Sequence, residues 1–401
     1  MNGSSFIGRV GFFERSRGCF VTLKKNPRQR LSVFECENEC GRLLNENGER
    51  YLFSGPPPPS WNFCLDAPVA ETQAANVQDA LVNLAQSWNQ ITLHYSSVVT
   101  NRVRVNNGYH AHTDTLPRWA VIGSIITSRR GHSFNIAWSG RGNGLKFLNT
   151  RATELEELVT AFDRANRIDE GTPEVVLRPT AAAVLLHEAV GHSVEASLDV
   201  KRNVLDNGRY RVASECLTLC DNPMAEDGPA HYEVDDENVR SLGAMVVVNQ
   251  GLLMARLHSR ATAAAAGTLP TGNGRAASAF NEVLPRISNL ICEQGESSED
   301  EMIDRVRQGL LIHRLADGVN NGGAVSAKVI LAERIEAGKR SGKFVTGGRI
   351  SEGLDILLGA VEAGNNPTFN SNALCGKAGQ LLFDVGTCAP SIRMASLRIV
   401  V

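Results

Sequence analysis

Apolar and polar positions divide the chain into two regions of different period. From Phe6 to Phe53, short runs rich in Val, Phe and Leu, such as Cys19 to Leu23 and Leu31 to Phe34, alternate with polar turns and predict antiparallel strands. Gly55 and the run Pro56-Pro57-Pro58-Pro59 predict a stiff, helix-free connection, because proline has no amide donor and restricts its predecessor. Val77, Ala80, Leu81 and Leu84 recur at helical spacing between Glu71 and Trp88. Thr92 to Val105, Arg118 to Ser128 and Ser133 to Trp138 carry β-branched and aromatic alternation, and Leu155 to Ala165 returns to helical spacing. These elements make residues 1–170 an N-terminal α+β domain, an α/β sandwich-like arrangement.

Beyond it, Gly171-Thr172-Pro173 forms a turn, Val175 to Leu177 is a short strand, and Pro179 suits the first turn of an apolar helix that runs to about Ala196 to Asp199. Val212 to Leu219 and Ala244 to Val248 read as buried strands, Leu253 to Ala265 as an alanine-rich helix stopped by Gly267, and Glu299 to Leu311 as a further helix. Val325 to Ala332, Lys343 to Val345 and Leu381 to Val385 are strands among Gly-rich turns. Residues 171–401 thus form a mostly β C-terminal domain around one apolar helix, the whole being of the α+β class. No period of the solenoid kind recurs.

Composition narrows the function classes. The 401 residues are 42% hydrophobic and 21% charged, ordinary for a globular protein with two cores. A net charge of −2 offers no basic footprint for nucleic acid or an anionic membrane, so neither partner is expected. No apolar run reaches the roughly 18 residues of a membrane span, and Met1 to Ser5 lacks a basic region followed by an apolar one, which points to the cytoplasm. Nine cysteines without a signal peptide suggest no disulfide framework, so most are expected to be reduced, and the Cys36/Cys40 and Cys216/Cys220 spacings fit no complete zinc site.

The candidate chemistry lies in the apolar helix, where Leu186-His187-Glu188-Ala189-Val190-Gly191-His192-Ser193-Val194-Glu195 buries two imidazoles and two carboxylates that need partners. In a regular α-helix His187 and His192 would diverge by roughly 140°. A single π-turn returns positions five apart to nearly one face, and Gly191 eases that distortion. The spacing is one residue longer than the His-Glu-x-x-His pattern of zinc proteases. A catalytic zinc usually takes three protein ligands, so a third must come from elsewhere. Glu195, the carboxylates Asp235 to Glu237, or a cysteine all qualify on residue type. Asp235-Asp236-Glu237 otherwise reads as a solvated turn, and Gly272-Asn273-Gly274 as a tight turn.

The stretch from Leu186 to Glu195 resembles the His-Glu-x-x-x-His signature of the TldD/PmbA family of zinc peptidases. Pro270 to Arg275, Pro285-Arg286-Ile287-Ser288-Asn289 and Cys375-Gly376-Lys377-Ala378-Gly379-Gln380 are similar to that family's other fixed stretches, in the same order, and Gly11 to Arg15 resembles its early strand. The resemblance implies that Cys375 is the third zinc ligand beside His187 and His192. It also implies that Glu188 is the general base acting on water acidified by the metal, and that Asn273 and Arg275 lie near the active site, either supporting the ligands or binding the substrate. Glu195 then fits as the partner that fixes a ligand imidazole's tautomer. Retention of both histidines, Glu188 and Cys375 is similar to the TldD-type catalytic subunit.

The resemblance implies a zinc-dependent peptidase acting on unstructured peptides, leader peptides or small peptide-like conjugates of natural-product pathways. It would bind them by strand addition inside a homodimer, or a heterodimer with a TldE/PmbA-like subunit. The chain departs from the pattern in a shortened N-terminal domain, with no clear helix ahead of Phe12, and in Cys388 and Val400-Val401. The competing reading is a non-catalytic partner or scaffold subunit with a structural zinc, which four protein ligands would close.

Overall fold

In the computed structural model, residues 10–26, 28–44, 50–54, 74–106, 109–129, 131–142, 144–198, 211–278, 280–370, 372 and 374–401 are described. The proline run lies outside them. The first six strands, β1 (Val10–Asn26), β2 (Arg28–Leu44), β3 (Arg50–Ser54), β4 (Ile91–Asn106), β5 (Tyr109–Ile126) and β6 (Ser133–Arg141), form one antiparallel sheet in the order β3-β2-β1-β4-β5-β6. They are longer than the short runs of the sequence suggested. The β1–β2 pairing runs in unbroken register from Gly11–Leu43 to Asn26–Arg28, so polar positions inside it are carried by backbone hydrogen bonds on both sides. Three helices, α1 (Ala74–Leu84), α2 (Leu145–Thr150) and α3 (Ala152–Arg164), cover one face of it. Val77, Leu81, Leu84, Leu148, Leu155 and Val159 from these helices meet Leu23, Leu93, Tyr95, Ile125 and Ile136 from the strands in one buried cluster.

Among the remaining described residues strands outnumber helices. A mixed sheet has the strand Gln308–Asn320 near its middle, parallel to Glu174–Leu177 on one side and antiparallel to Ala324–Glu336 on the other. A second sheet brings Leu219–Asp221, Asn289–Cys292 and Gly386–Ala389 side by side. The helix Pro179–Leu186 packs against both sheets, which explains its apolar circumference: Ala181, Ala182, Ala183, Leu185 and Leu186 are all buried. Ile330, on Ala324–Glu336, packs onto the N-terminal cluster and ties the two regions together. Among the described residues no helix is long and apolar enough to cross a membrane.

The structure departs from the local pattern at four places. Val212 to Thr218 is turn rather than strand, its amides at Val212 and Ala213 taken by the Gly251 carbonyl, and only Leu219–Asp221 is extended. The alanine-rich helix starts at Arg260, where Ser259 and Thr262 form a capping box that fixes its N-terminus. The helix expected over Glu299 to Leu311 ends at Asp304, because Gly309 to Ile312 are drawn into pairing with Glu174 to Leu177. Asp235, Asp236 and Glu237 are buried, not solvated. Arg102 from β4 pairs with Asp236, while Asp235 accepts hydrogen bonds from the amides of Glu237, Val239 and Gly274.

Candidate metal centre

The motif helix changes character at its first histidine. Pro179–Leu186 is α-helical, His187–Gly191 is a π-turn in which the His192 amide donates to the His187 carbonyl, and His192–Val194 resumes the α-helix. Gly191 keeps helical dihedrals, and its role is space: a Cβ there would stand 2.9 Å from Ile287 Cδ1. The π-turn brings the two imidazoles edge to face with centroids 4.9 Å apart. Glu195 leaves the helix with extended dihedrals, earlier than the sequence suggested, and its neighbours Val194 and Ala196 bond the backbone of Leu257.

Cys375 arrives from a short hairpin, Cys375–Lys377 against Gln380–Leu382. Its Sγ lies 3.2 Å from His187 Nε2 and 3.5 Å from His192 Nε2. These three donor atoms all fall within 4.8 Å of one another. Tetrahedral zinc with bond lengths of about 2.0–2.1 Å to nitrogen and 2.3 Å to sulfur separates its N and S ligands by about 3.6 Å, so the donor set fits the ion in both chemistry and spacing. The outward nitrogens are held too: His187 Nδ1 by Thr387 Oγ1 at 3.1 Å, His192 Nδ1 by Glu195 Oε2 at 3.0 Å. Such bonds leave both Nε2 atoms free to bind a cation. Burial opposes a thiolate, but His187 and His192 overcome it and hold the Cys375 thiol well below its ordinary range. Burial likewise works against a charged His192, yet Glu195 and Cys375 raise its pKa to about 10.

Glu195 is the hinge of this arrangement. Its Oε2 also accepts from Lys377 Nζ at 2.6 Å, and its Oε1 accepts from the Ile287 amide at 2.9 Å and lies 3.6 Å from Arg286 Nε. Burial is outweighed by Lys377, His192 and Arg286, which hold the carboxyl below the usual carboxylate range. Arg286 in turn donates to the Cys375 carbonyl at 2.9 Å. The sequence pattern assigns no role to Lys377, Arg286 or Thr387. Lys377, two residues from the candidate ligand, and Arg286, inside a matched stretch, were the available signals.

Glu188 lines a cavity of about 1340 Å³ together with His187, His192, Glu195 and Cys375. Burial pushes its carboxyl up, against the pull of His187 and His192. Its carbonyl is held by Asn320 Nδ2 at 2.7 Å, and the space beside its carboxylate depends on Gly318, where a Cβ would come within 2.7 Å of Oε1.

Asn273 and Arg275 are both buried, and neither lines that cavity. Asn273 Nδ2 donates to Asp221 Oδ2 at 2.8 Å and to the Arg286 carbonyl at 3.2 Å. Arg275 bonds Asp384 Oδ1 at 2.5 Å and stacks its guanidinium 5.0 Å from the Tyr232 ring. They brace the segment that carries Arg286 and Ile287, because their polar groups are consumed by protein partners. Gly272, at φ 79°, makes the turn ahead of them, where a side chain would meet the Ser241 backbone.

Residues 170–400 match the PmbA/TldA metallopeptidase C-terminal domain. A metalloprotease of Methanocaldococcus jannaschii is 32% identical over 268 residues, 64% of this chain and 59% of its own length. A zinc metalloprotease TldD homolog of Saccharolobus solfataricus is 27% identical over 242 residues, 58% of this chain and 54% of its own. The chain thus spans a little over half the length of these relatives. Across 100% of this chain and 98% of the other, the fold is similar to that of TldE from Thermococcus kodakarensis, with a TM-score of 0.75 and 16% identity.

Proposed function

Because the chain belongs to the PmbA/TldD metallopeptidase family, we propose that it is a zinc-dependent peptidase whose metal is held by His187, His192 and Cys375. The observation that carries the proposal is the convergence of three ligand atoms, each of the right type, on one wall of a large cavity that Glu188 also lines. A zinc held there would supply Lewis acidity, polarising a peptide carbonyl and acidifying water. Three donors leave a position open, which favours a catalytic site over a closed structural one.

The chain's own groups then divide the work. Glu188, whose carboxyl burial pushes up, takes the proton from the attacking water and returns it to the departing amine. Glu195 and Thr387 hold the two imidazoles in one tautomer. Beyond Ile312 the strand Gln308–Asn320 has no strand partner on the Glu174–Leu177 side among the described residues, which supports binding of an extended peptide by strand addition. Backbone recognition of this kind suits unstructured peptides, leader peptides or small peptide-like conjugates. We infer a pair with a second copy or a TldE/PmbA-like subunit, supported by the likeness to a TldE fold. Light scattering that shows a fully active monomer refutes that part.

The test is metal analysis joined to a peptide-library digest with and without a chelator. About one zinc per chain, with cleavage lost on chelation and the fold retained, supports the proposal. Undiminished cleavage by metal-free protein overturns it.

A further inference from the structure

The cavity carries a charge pattern that the hydrolytic machinery does not use. Most cations on its wall are already paired: Arg178 with Glu299 at 3.2 Å, Arg340 with Glu333 at 2.9 Å and Lys377 with Glu195. Arg314 is different. It lies on the strand Gln308–Asn320, lines the cavity, and among the described residues its guanidinium has neither a hydrogen bond nor an ion pair. It stacks on the Phe134 ring, 5.5 Å from the guanidinium carbon. Burial lowers its pKa, opposed among the described residues by Glu154, which is itself exposed and paired with Arg151.

Lys328 lines the same cavity and also lacks an ion pair among the described residues. It stands opposite Ala316, while Arg314 stands opposite Leu331 between two register shifts, and both residues line the cavity. Of the remaining carboxylates on the wall, Glu188 and Glu195 belong to the metal end, and Glu157 and Asp317 are exposed. A half-buried guanidinium without a carboxylate partner can take an anion from a ligand, and the fork geometry of arginine suits a carboxylate held bidentately.

We propose that Arg314, assisted by Lys328, is a specificity-determining subsite for a substrate carboxylate, so that the peptides preferred by this cavity are acidic. The inference rests on the peptidase reading for its substrate class. The reach follows from the strand. Gly318, beside Glu188, is four residues from Arg314 on a strand irregular at Asp317 (φ 51°), so the separation is at most about 13 Å. The carboxylate therefore lies within a few substrate residues of the cleaved bond, as an Asp or Glu side chain or as the C-terminus of a short peptide.

The test uses zinc-loaded Glu188→Gln protein, which reads binding without turnover. Blocked alanine-rich octapeptides carrying one Glu at successive positions are titrated by calorimetry against their Gln isosteres. A neutral octapeptide with a free C-terminus is compared with its amide, which separates the two sources of carboxylate. One position, or the free C-terminus, is expected to bind about 10- to 100-fold tighter than its neutral counterpart, the range for a charge-assisted bond. In E188Q/R314Q that preference should fall to within about twofold, while E188Q/R314K keeps part of it. Absence of any acid preference, or a preference that survives R314Q, overturns the proposal. Cleavage of the same peptides by wild-type protein is scored in parallel. Hydrolysis without acid preference removes the subsite alone, and acid preference without hydrolysis removes the peptidase reading alone.

Discussion

Replacing Glu195 by Gln separates a carboxylate that organises a metal site from one that ligates the metal. Each Glu195 oxygen faces two donors: Oε1 the Ile287 amide and Arg286, Oε2 Lys377 and His192. Gln keeps one acceptor and turns an NH2 group toward the other pair, so either orientation sets donors against donors. It also leaves Lys377 and Arg286 without the negative charge they share, and Arg286 is 1% exposed. Removing one partner of a buried ion pair costs about 3–5 kcal/mol, and loss of the group that orients a ligand imidazole lowers metal affinity about 10- to 100-fold. Zinc competition against a chromophoric chelator and denaturant unfolding of the loaded protein measure the two effects. The double variant E195Q/K377M should be less destabilised than the sum of the single changes by about 1 kcal/mol or more, since the Gln no longer confronts the ammonium. A zinc affinity within about twofold of wild type, with stability unchanged, would refute the reasoning. Complete loss of zinc would move Glu195 into the ligand set.

Glu188→Gln should keep stoichiometric zinc and lose at least about 100-fold in kcat, since the amide cannot accept a proton; a residual rate within about tenfold of wild type excludes Glu188 as the base. Cys375→Ala should cost zinc affinity steeply while Cys388→Ala, on the strand Gly386–Ala389, leaves it intact, and holo protein should resist alkylation at Cys375 where apo protein reacts. Zinc retained in Cys375→Ala would place the third ligand elsewhere. Burial first, then Arg178, hold His313 at about 4 against an ordinary 6.5, so the unfolded chain binds its proton more readily. Its contribution to stability, up to roughly 3 kcal/mol, is fully present above pH 6.5 and lost as pH falls toward 4. His313→Gln should flatten the stability slope over that window, and an unchanged slope refutes the assignment.

The sequence made local patterns legible and long-range ones opaque. Val77 to Leu84 announces its helix because one face of it is apolar at a helical period, and Pro179 marks the start of the motif helix because its missing amide is harmless there. By contrast, Gly309 to Ile312 belong to a strand only because Glu174 to Leu177 lie beside them, and nothing within the segment says so. Asp235-Asp236-Glu237 looked solvated for the same reason. Their solvent is replaced by Arg102, 134 residues from Asp236, and by backbone amides that a turn aims inward. At the candidate site, residue types near His187 were readable, but Cys375 rested on resemblance, since no local spacing relates it to His192.

The extra residue between the histidines and the early end of the helix belong to one arrangement. With four-residue spacing the imidazoles would share a face without distortion, and the chain would continue as regular helix. Five-residue spacing forces the π-turn at His187–Gly191, whose cost has to be offset locally. Part of the offset is visible in the packing: Gly191 lets Ile287 approach, and the Ile287 amide is the donor that fixes Glu195 Oε1. Glu195 can accept it because the backbone has already left the helix, with Val194 and Ala196 bonded to Leu257. Its other oxygen then turns back to His192 Nδ1, the imidazole that the π-turn had rotated into place. The distortion, the glycine and the helix stop each position one end of the same hydrogen-bonded link between Ile287 and His192, so altering any one of them should be felt first at the His192 ring.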